Sequence, residues 1–148
     1  MCAMEIETER HILGLPEMDA QHAYLYSLFD RIEKSPAVTD VPAMKALLKE
    51  LERYLLFHFA SEEHLMRCYN YPGFSIHQSD HESAGNRFIK FLDDFDSAML
   101  NPAALSIFLT GWLMEHSRLS DTEYVIWIKK CRTSLELRKE EIGGGTQI

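Results

Sequence analysis

Cysteine is scarce in this 148-residue sequence: Cys2, Cys68 and Cys131 are an odd number, widely spaced, with no CxxC pair. A disulfide framework is therefore not expected, and reduced thiols in a reducing compartment are. No apolar run approaches the roughly 18 residues that a membrane-spanning helix needs, and the opening MCAMEIETER is acidic and lacks the apolar stretch of a secretory signal. The expectation is a cytoplasmic protein without membrane insertion. Positive charge is also short. With a formal net charge of -8, the chain has no Lys/Arg surplus to displace the counterions of nucleic acid or of an anionic membrane surface. Convincing strand runs are missing too. What is present, 46% hydrophobic and 26% charged residues, suits one domain over residues 1–148 that buries a sizeable core.

Helical periodicity accounts for most of the chain. Gly14 and Pro16 argue against helix in residues 1–18, so an extended arm is expected there. Asp19 is the expected N-cap of a first helix carrying His22, Leu25, Phe29 and Ile32 at steps of three and four, closed by Pro36. Asp40 caps a second, long helix to about Tyr69, with Leu47, Leu48, Leu51, Leu55, Phe59, Leu65 and Met66 inward. Tyr71-Pro72-Gly73 marks a turn. A third helix from about Phe74 to Leu100 places Ile76, Phe88, Phe91, Leu92 and Phe95 on its apolar face, and Gly85 within it suggests a close packing contact, since glycine costs about 1 kcal/mol against alanine there. Asn101-Pro102 reads as cap and first turn of a fourth helix through Leu105, Phe108, Leu109, Trp112, Leu113 and His116. Helix continues from Glu123 to Arg138 through Val125, Ile128 and Leu135, and residues 143–148 form a flexible tail. The expected fold is all-α: an up-down-up-down four-helix bundle with core residues about 13–131, an N-terminal arm and a C-terminal helical extension.

Ligand-type residues recur on the inward faces. His58 and Glu62, and again His77 and His81, are four residues apart, about 40° on one helix face. The turn at Pro72 folds the two pairs toward each other. His22 lies on the first helix's stripe. His116 and Asp121 are five apart, roughly 140° on a regular α-helix, so joint ligation there requires a π-type widening or a break near Ser117 to Ser120. A single His pair is usually solvated or hydrogen-bonded. Seven such groups on the inner faces of four helices are different, because burying them uncoordinated costs several kcal/mol each. Five imidazoles and two carboxylates exceed what one ion accepts, but with a shared oxo or hydroxo group they fill all but one position of two six-coordinate ions. His11 falls in the arm and His64 on the far side of its helix. Glu63, Asp80 and Glu82 are expected at the surface or behind the ligands.

MDAQH up to His22, HFASEE from His58, the YP before His77-QSD-His81, and WLMEHSRLSD ending at Asp121 resemble the hemerythrin family, specifically its prokaryotic bacteriohemerythrin type. The resemblance covers about residues 13–131. It implies two irons (Fe2+/Fe3+) with a bridging oxo or hydroxo group, His77, His81 and His116 on one, His22 and His58 on the other, and Glu62 and Asp121 shared. It further implies reversible O2 binding at the second iron, in a pocket lined by Leu25, Phe59, Trp112, Leu113 and Ser117. Ser117 departs from the family, which commonly has isoleucine after the last histidine; a hydroxyl there admits water or donates to a bound molecule, and faster autoxidation follows. The arm also lacks the tryptophan that many relatives place near the pocket.

Three functions are compatible with these residues. The first is an O2 carrier, store or supplier to a respiratory enzyme. The second is an O2 or redox sensor acting on a signalling partner. The third is a di-iron peroxidase or oxidase, which ranks last because ferritin-like oxidases use carboxylate-rich Glu-x-x-His sites and no Glu-x-x-His occurs here. A binding protein rather than an enzyme is expected.

Overall fold

Proline opens three of the helices, where its missing N–H costs nothing and its fixed φ suits the first turn. The computed structural model describes residues 10–35, 40–96 and 99–143. Helix α1 runs Pro16–Glu33, α2 Val41–Cys68, α3 Phe74–Asp96, α4 Pro102–His116 and α5 Thr122–Gly143, with a π-helical turn Ser117–Asp121 joining α4 to α5. The described residues contain no strand, and the fold is a four-helix bundle whose fourth rod is α4, the π turn and α5 in succession.

The caps at Asp40 and Asn101 follow the sequence. Each carboxylate or amide oxygen accepts a first-turn N–H, from Ala43 at 3.0 Å and from Ala104 at 3.1 Å. Asp19 does not cap. Leu15 occupies that position without a side-chain bond and Asp19 sits in the first turn, where it accepts the N–H groups of Leu13 at 2.8 Å and Gly14 at 3.0 Å. It thus ties the arm to the helix instead of starting the helix. Gly14 takes φ +74° there, a conformation open to glycine at little cost. Tyr69 to Gly73 reverse the chain, with Asn70 at φ 49° and Tyr71 donating to the Met66 carbonyl.

Helix α1 packs on both α2 and α4, and α2 on α3. Phe91 and Phe108, stacked 5.4 Å apart, close the ring between α3 and α4. Two apolar clusters fill the interior. The larger one includes Leu25, Leu28, Phe29, Leu51, Leu55, Phe88, Leu105 and Leu113; the smaller one joins arm residues Leu13 and Leu15 to Met18, Met66, Tyr124, Val125 and Ile128. Along every rod, the buried histidines, Glu62 and Asp121 fall between the two clusters.

Three expectations fail for identifiable reasons. Ile76 is 74% exposed, because the inner face of α3 is set by His77, His81, Ala84 and Phe88 and the residue before His77 lies about 100° away from it. Leu135 is exposed although it lies seven residues after buried Ile128: beyond Arg132 every described residue of α5 is exposed, so the stripe outruns its partners. Gly85 has no close neighbour, since a Cβ there meets nothing within 4 Å. Helix α3 ends at Asp96, short of Leu100, and Gly143 still belongs to α5. Cys2, Pro36 and residues 144–148 lie outside the described residues; Cys68 and Cys131 are free thiols.

Candidate metal centre

Each rod delivers its ligand-type side chains because the apolar residues around them leave only one rotation. On α1, Met18 and Leu25 bracket His22; on α2, Leu55 and Met66 bracket His58 and Glu62; on α3, Ala84 and Phe88 fix the face of His77 and His81. On the fourth rod the spacing problem is solved by the π turn. Thr122 N–H bonds to the Ser117 carbonyl five residues back, which widens the helix by one residue and brings Asp121 round to the face of His116. The turn is held from three sides. Thr122 Oγ1 donates to the Ser117 carbonyl at 3.0 Å, Ser120 Oγ donates to Asp80 at 3.1 Å, and His11 of the arm bonds Thr122 Oγ1 at 2.9 Å.

All seven residues are buried and their polar tips converge. The Nε2 atoms of His77, His81 and His116 form a triangle with sides of 3.1, 3.2 and 3.1 Å. That is the separation produced by metal–nitrogen lengths of about 2.1 Å at near-right angles. Glu62 Oε2 lies 3.2 Å from His77 Nε2 and 3.0 Å from His81 Nε2, and Asp121 Oδ1 lies 3.1 Å from His116 Nε2 and 3.3 Å from His77 Nε2. The other oxygen of each carboxylate faces the opposite way. Glu62 Oε1 is 3.6 Å from His58 Nε2 and 3.8 Å from His22 Nε2, and Asp121 Oδ2 is 3.3 Å from His22 Nε2. Two foci result, one of three imidazoles and one of two, with one oxygen of each carboxylate directed at each focus.

The donor set fits cations. Three imidazole nitrogens pointing at one another cannot all be donors, and facing lone pairs repel. Among the described residues, six buried polar atoms have no hydrogen-bond partner: both ring nitrogens of His22, His58 Nε2, Ser117 Oγ and both oxygens of Asp121. Leaving such atoms bare costs about 1–3 kcal/mol each, and cations at the two foci would satisfy four of the six, all but His22 Nδ1 and Ser117 Oγ. The proton balance of His58 and Glu62 suits ligation as well. Burial pushes His58 down to about 4 and so keeps it neutral. Burial alone would raise Glu62, but the imidazoles of His58, His77 and His81 outweigh it and hold the carboxyl well below its usual range. For His116, burial acts downward and the Asp121 carboxylate, 3.1 Å away, outweighs it, raising the pKa.

Three supporting residues escape the sequence pattern in whole or part. Tyr124 donates its hydroxyl to Glu62 Oε1 at 2.9 Å, and its own burial pushes its pKa up. Gln21 Oε1 accepts from His58 Nδ1 at 2.9 Å, and Glu63 Oε1 accepts from His81 Nδ1 at 3.2 Å. Each acceptor fixes the tautomer that leaves Nε2 bare toward the centre. Tyr124 stands three residues after Asp121 and so shares its face, a signal the sequence did contain. Gln21 and Glu63 each adjoin a ligand-type residue and act across to another helix, which periodicity cannot reveal.

The residues expected to line an O2 pocket take different positions. Phe59 stacks on His81, centroids 4.0 Å apart and planes at 11°, and Trp112 stacks on His116 at 4.8 Å and 18°. Both therefore pack on the three-histidine side. Leu25 and Leu113 are fully buried in the larger cluster, and Ser117 is buried with its hydroxyl bare. His11 and His64 stay outside the cluster, as expected; His64 is exposed beside Cys68. Asp80 and Glu63 stand behind the cluster and Glu82 is exposed.

A buried histidine–carboxylate cluster across four helices defines a metal-binding helical bundle. The chain belongs to the hemerythrin family: the family described as the hemerythrin HHE cation binding domain matches residues 13–128. Similar proteins include a "Bacteriohemerythrin" of Pseudomonas aeruginosa, 27% identical over 130 residues that cover 88% of this chain and 85% of the relative. A "Bacteriohemerythrin" of Clostridium acetobutylicum is 24% identical over 76% of this chain and 92% of the relative, and a "Hemerythrin-like protein" of Naegleria fowleri 26% identical over 76% and 83%. No solved structure matches. Family and cluster together support binding of non-haem iron, and no described helix is long and apolar enough to cross a membrane.

Proposed function

We propose that this chain binds O2 reversibly at a pair of irons. His77, His81 and His116 would hold one, His22 and His58 the other, with Glu62 and Asp121 available to both. The observation that carries this reading is the division of carboxylate oxygens, one of each pair facing the three-histidine focus and the other the two-histidine focus. Two irons bound there would supply the two electrons that reversible dioxygen binding needs, one from each.

The chain's own residues set the conditions. A neutral His58 and an ionised Glu62 suit ligation. Tyr124 steadies Glu62, while Gln21 and Glu63 orient His58 and His81. Leu25, Phe59, Leu113 and Trp112 keep water away from the cluster, which protects against irreversible oxidation. The buried Ser117 hydroxyl, without a hydrogen-bond partner, is a polar group beside that apolar packing, and it weakens the barrier. Five imidazoles to two carboxylates is a donor balance that favours holding O2 over activating it, so the reading is carriage or supply rather than oxidation of a substrate. The site serves a respiratory partner or, if occupancy is read out, a signalling one. Free thiols at Cys68 and Cys131 suit the cytoplasm.

The test is the visible spectrum of iron-reconstituted protein, followed through anaerobic reduction and return to O2. Charge-transfer bands that vanish on reduction and reappear on oxygenation, then vanish again when O2 is removed, are expected. Bands that return only as permanently oxidised protein would exclude carriage.

A further inference from the structure

Outside the ligands, the three outer ring nitrogens described above meet three different environments. His81 Nδ1 faces a carboxylate: Glu63 Oε1 at 3.2 Å. His58 Nδ1 faces a neutral amide, Gln21 Oε1 at 2.9 Å. His22 Nδ1, buried, faces no hydrogen-bond partner at all. The Glu63 side chain is itself fixed, since Gln78 Nε2 donates to its second oxygen at 3.1 Å and Arg67 Nη2 lies 3.6 Å away. It is 15% exposed and so anchored at the rim of the bundle.

We infer that the two metal positions are held unequally, with Glu63 as the positioning residue that makes the three-histidine position the tight one. This rests on the two-ion reading above. A carboxylate accepting the Nδ1 proton of a ligating imidazole increases the basicity of Nε2 and locks the ring's orientation, and loss of such a partner costs about 10- to 100-fold in metal affinity. His81 has that support. His58 has the orientation without the charge, and His22 has neither, so the two-histidine position fills second and empties first. Ordered loading follows from the outer hydrogen bonds rather than from ligand number alone, and Glu63 and Gln21 set the two affinities separately.

The experiment titrates the metal-free full chain anaerobically with Co(II), followed by its visible bands and by calorimetry. Two Co(II) per chain in two resolved phases are expected for the native sequence. Glu63→Ala weakens the tight phase by about 10- to 100-fold and leaves the second unmoved. Glu63→Gln, which keeps an acceptor for Nδ1–H, recovers part of that loss, and Gln21→Ala weakens only the second phase. Glu63→Ala with an unchanged curve, or with both phases weakened equally while the helical circular dichroism is intact, would overturn the inference. Fewer than two Co(II) per native chain would instead remove the two-ion reading, and this proposal with it.

Discussion

Histidine ligates only when neutral, so the proton balance of single residues decides whether the cluster accepts a metal. In the metal-free protein burial holds His58 at about 4, against its ordinary 6.5. As pH falls between these values the unfolded chain takes up a proton that the folded chain refuses. The stability tied to His58 is therefore complete above 6.5 and lost toward 4, an effect on the order of 3 kcal/mol. His116 acts in the opposite sense: its raised pKa contributes stability at low pH that is lost as pH rises through it. The urea midpoint of metal-free protein should thus drop between about pH 7 and pH 4.5, and His58→Asn should flatten that drop. An equal slope in the variant would place the acid sensitivity elsewhere. At the same scale, Ser117→Ile is expected to slow autoxidation several-fold by closing the polar gap in the lining, measured as decay of the oxygenated bands; equal rates would show that the hydroxyl has no part. The five buried histidines and Glu62 could be picked out because each shares a helical stripe with apolar neighbours or with another such group, whereas Asp121 could be reached only by allowing a π turn after His116. Gln21 was not legible, because its contact crosses between helices and carries no periodicity.

Among the elements, the π turn carries the most specific requirement. A five-residue step from His116 to Asp121 misses the site on an α-helix and meets it on a π turn, and Ser117–Asp121 is that turn. Inserting one alanine between Leu119 and Ser120 rotates Asp121 and all of α5 by about 100°. Asp121, Tyr124 and Ile128 then leave the centre together. The expected outcome is loss of iron binding with destabilisation of roughly 3 kcal/mol or more, while the same insertion after exposed Glu141 changes neither. A variant that keeps both iron and melting temperature would show that the turn does not set the register. The need for this turn could be read from two residue numbers. The start of α1 could not: Pro16 begins the helix after an uncapped Leu15, and Asp19, which looks like a cap, is used to hold Leu13 and Gly14. Leu135 misleads because periodicity shows which residues share a stripe but not where the neighbouring helices end, and Ile76 because His77 and His81 set the inner face of α3 and it lies off that face.

At the scale of the molecule, a layer of buried polar groups lies between two apolar clusters, and neither cluster can satisfy it. The bundle is folded around a deficit of positive charge. Anything that binds there and not to the unfolded chain stabilises the whole protein by mass action, so fold and cofactor are thermodynamically one system. The architecture was legible because four amphipathic stretches with short connections admit few arrangements. The sharing of Glu62 and Asp121 between two foci depends on which oxygen faces which nitrogen, a matter of side-chain geometry that spacing alone cannot give. The most direct measurement is X-ray absorption at the iron edge of the reconstituted protein. A nitrogen-rich first shell and an iron–iron vector within about 4 Å are expected. Iron without an iron neighbour at that distance would contradict the paired centre on which the account depends.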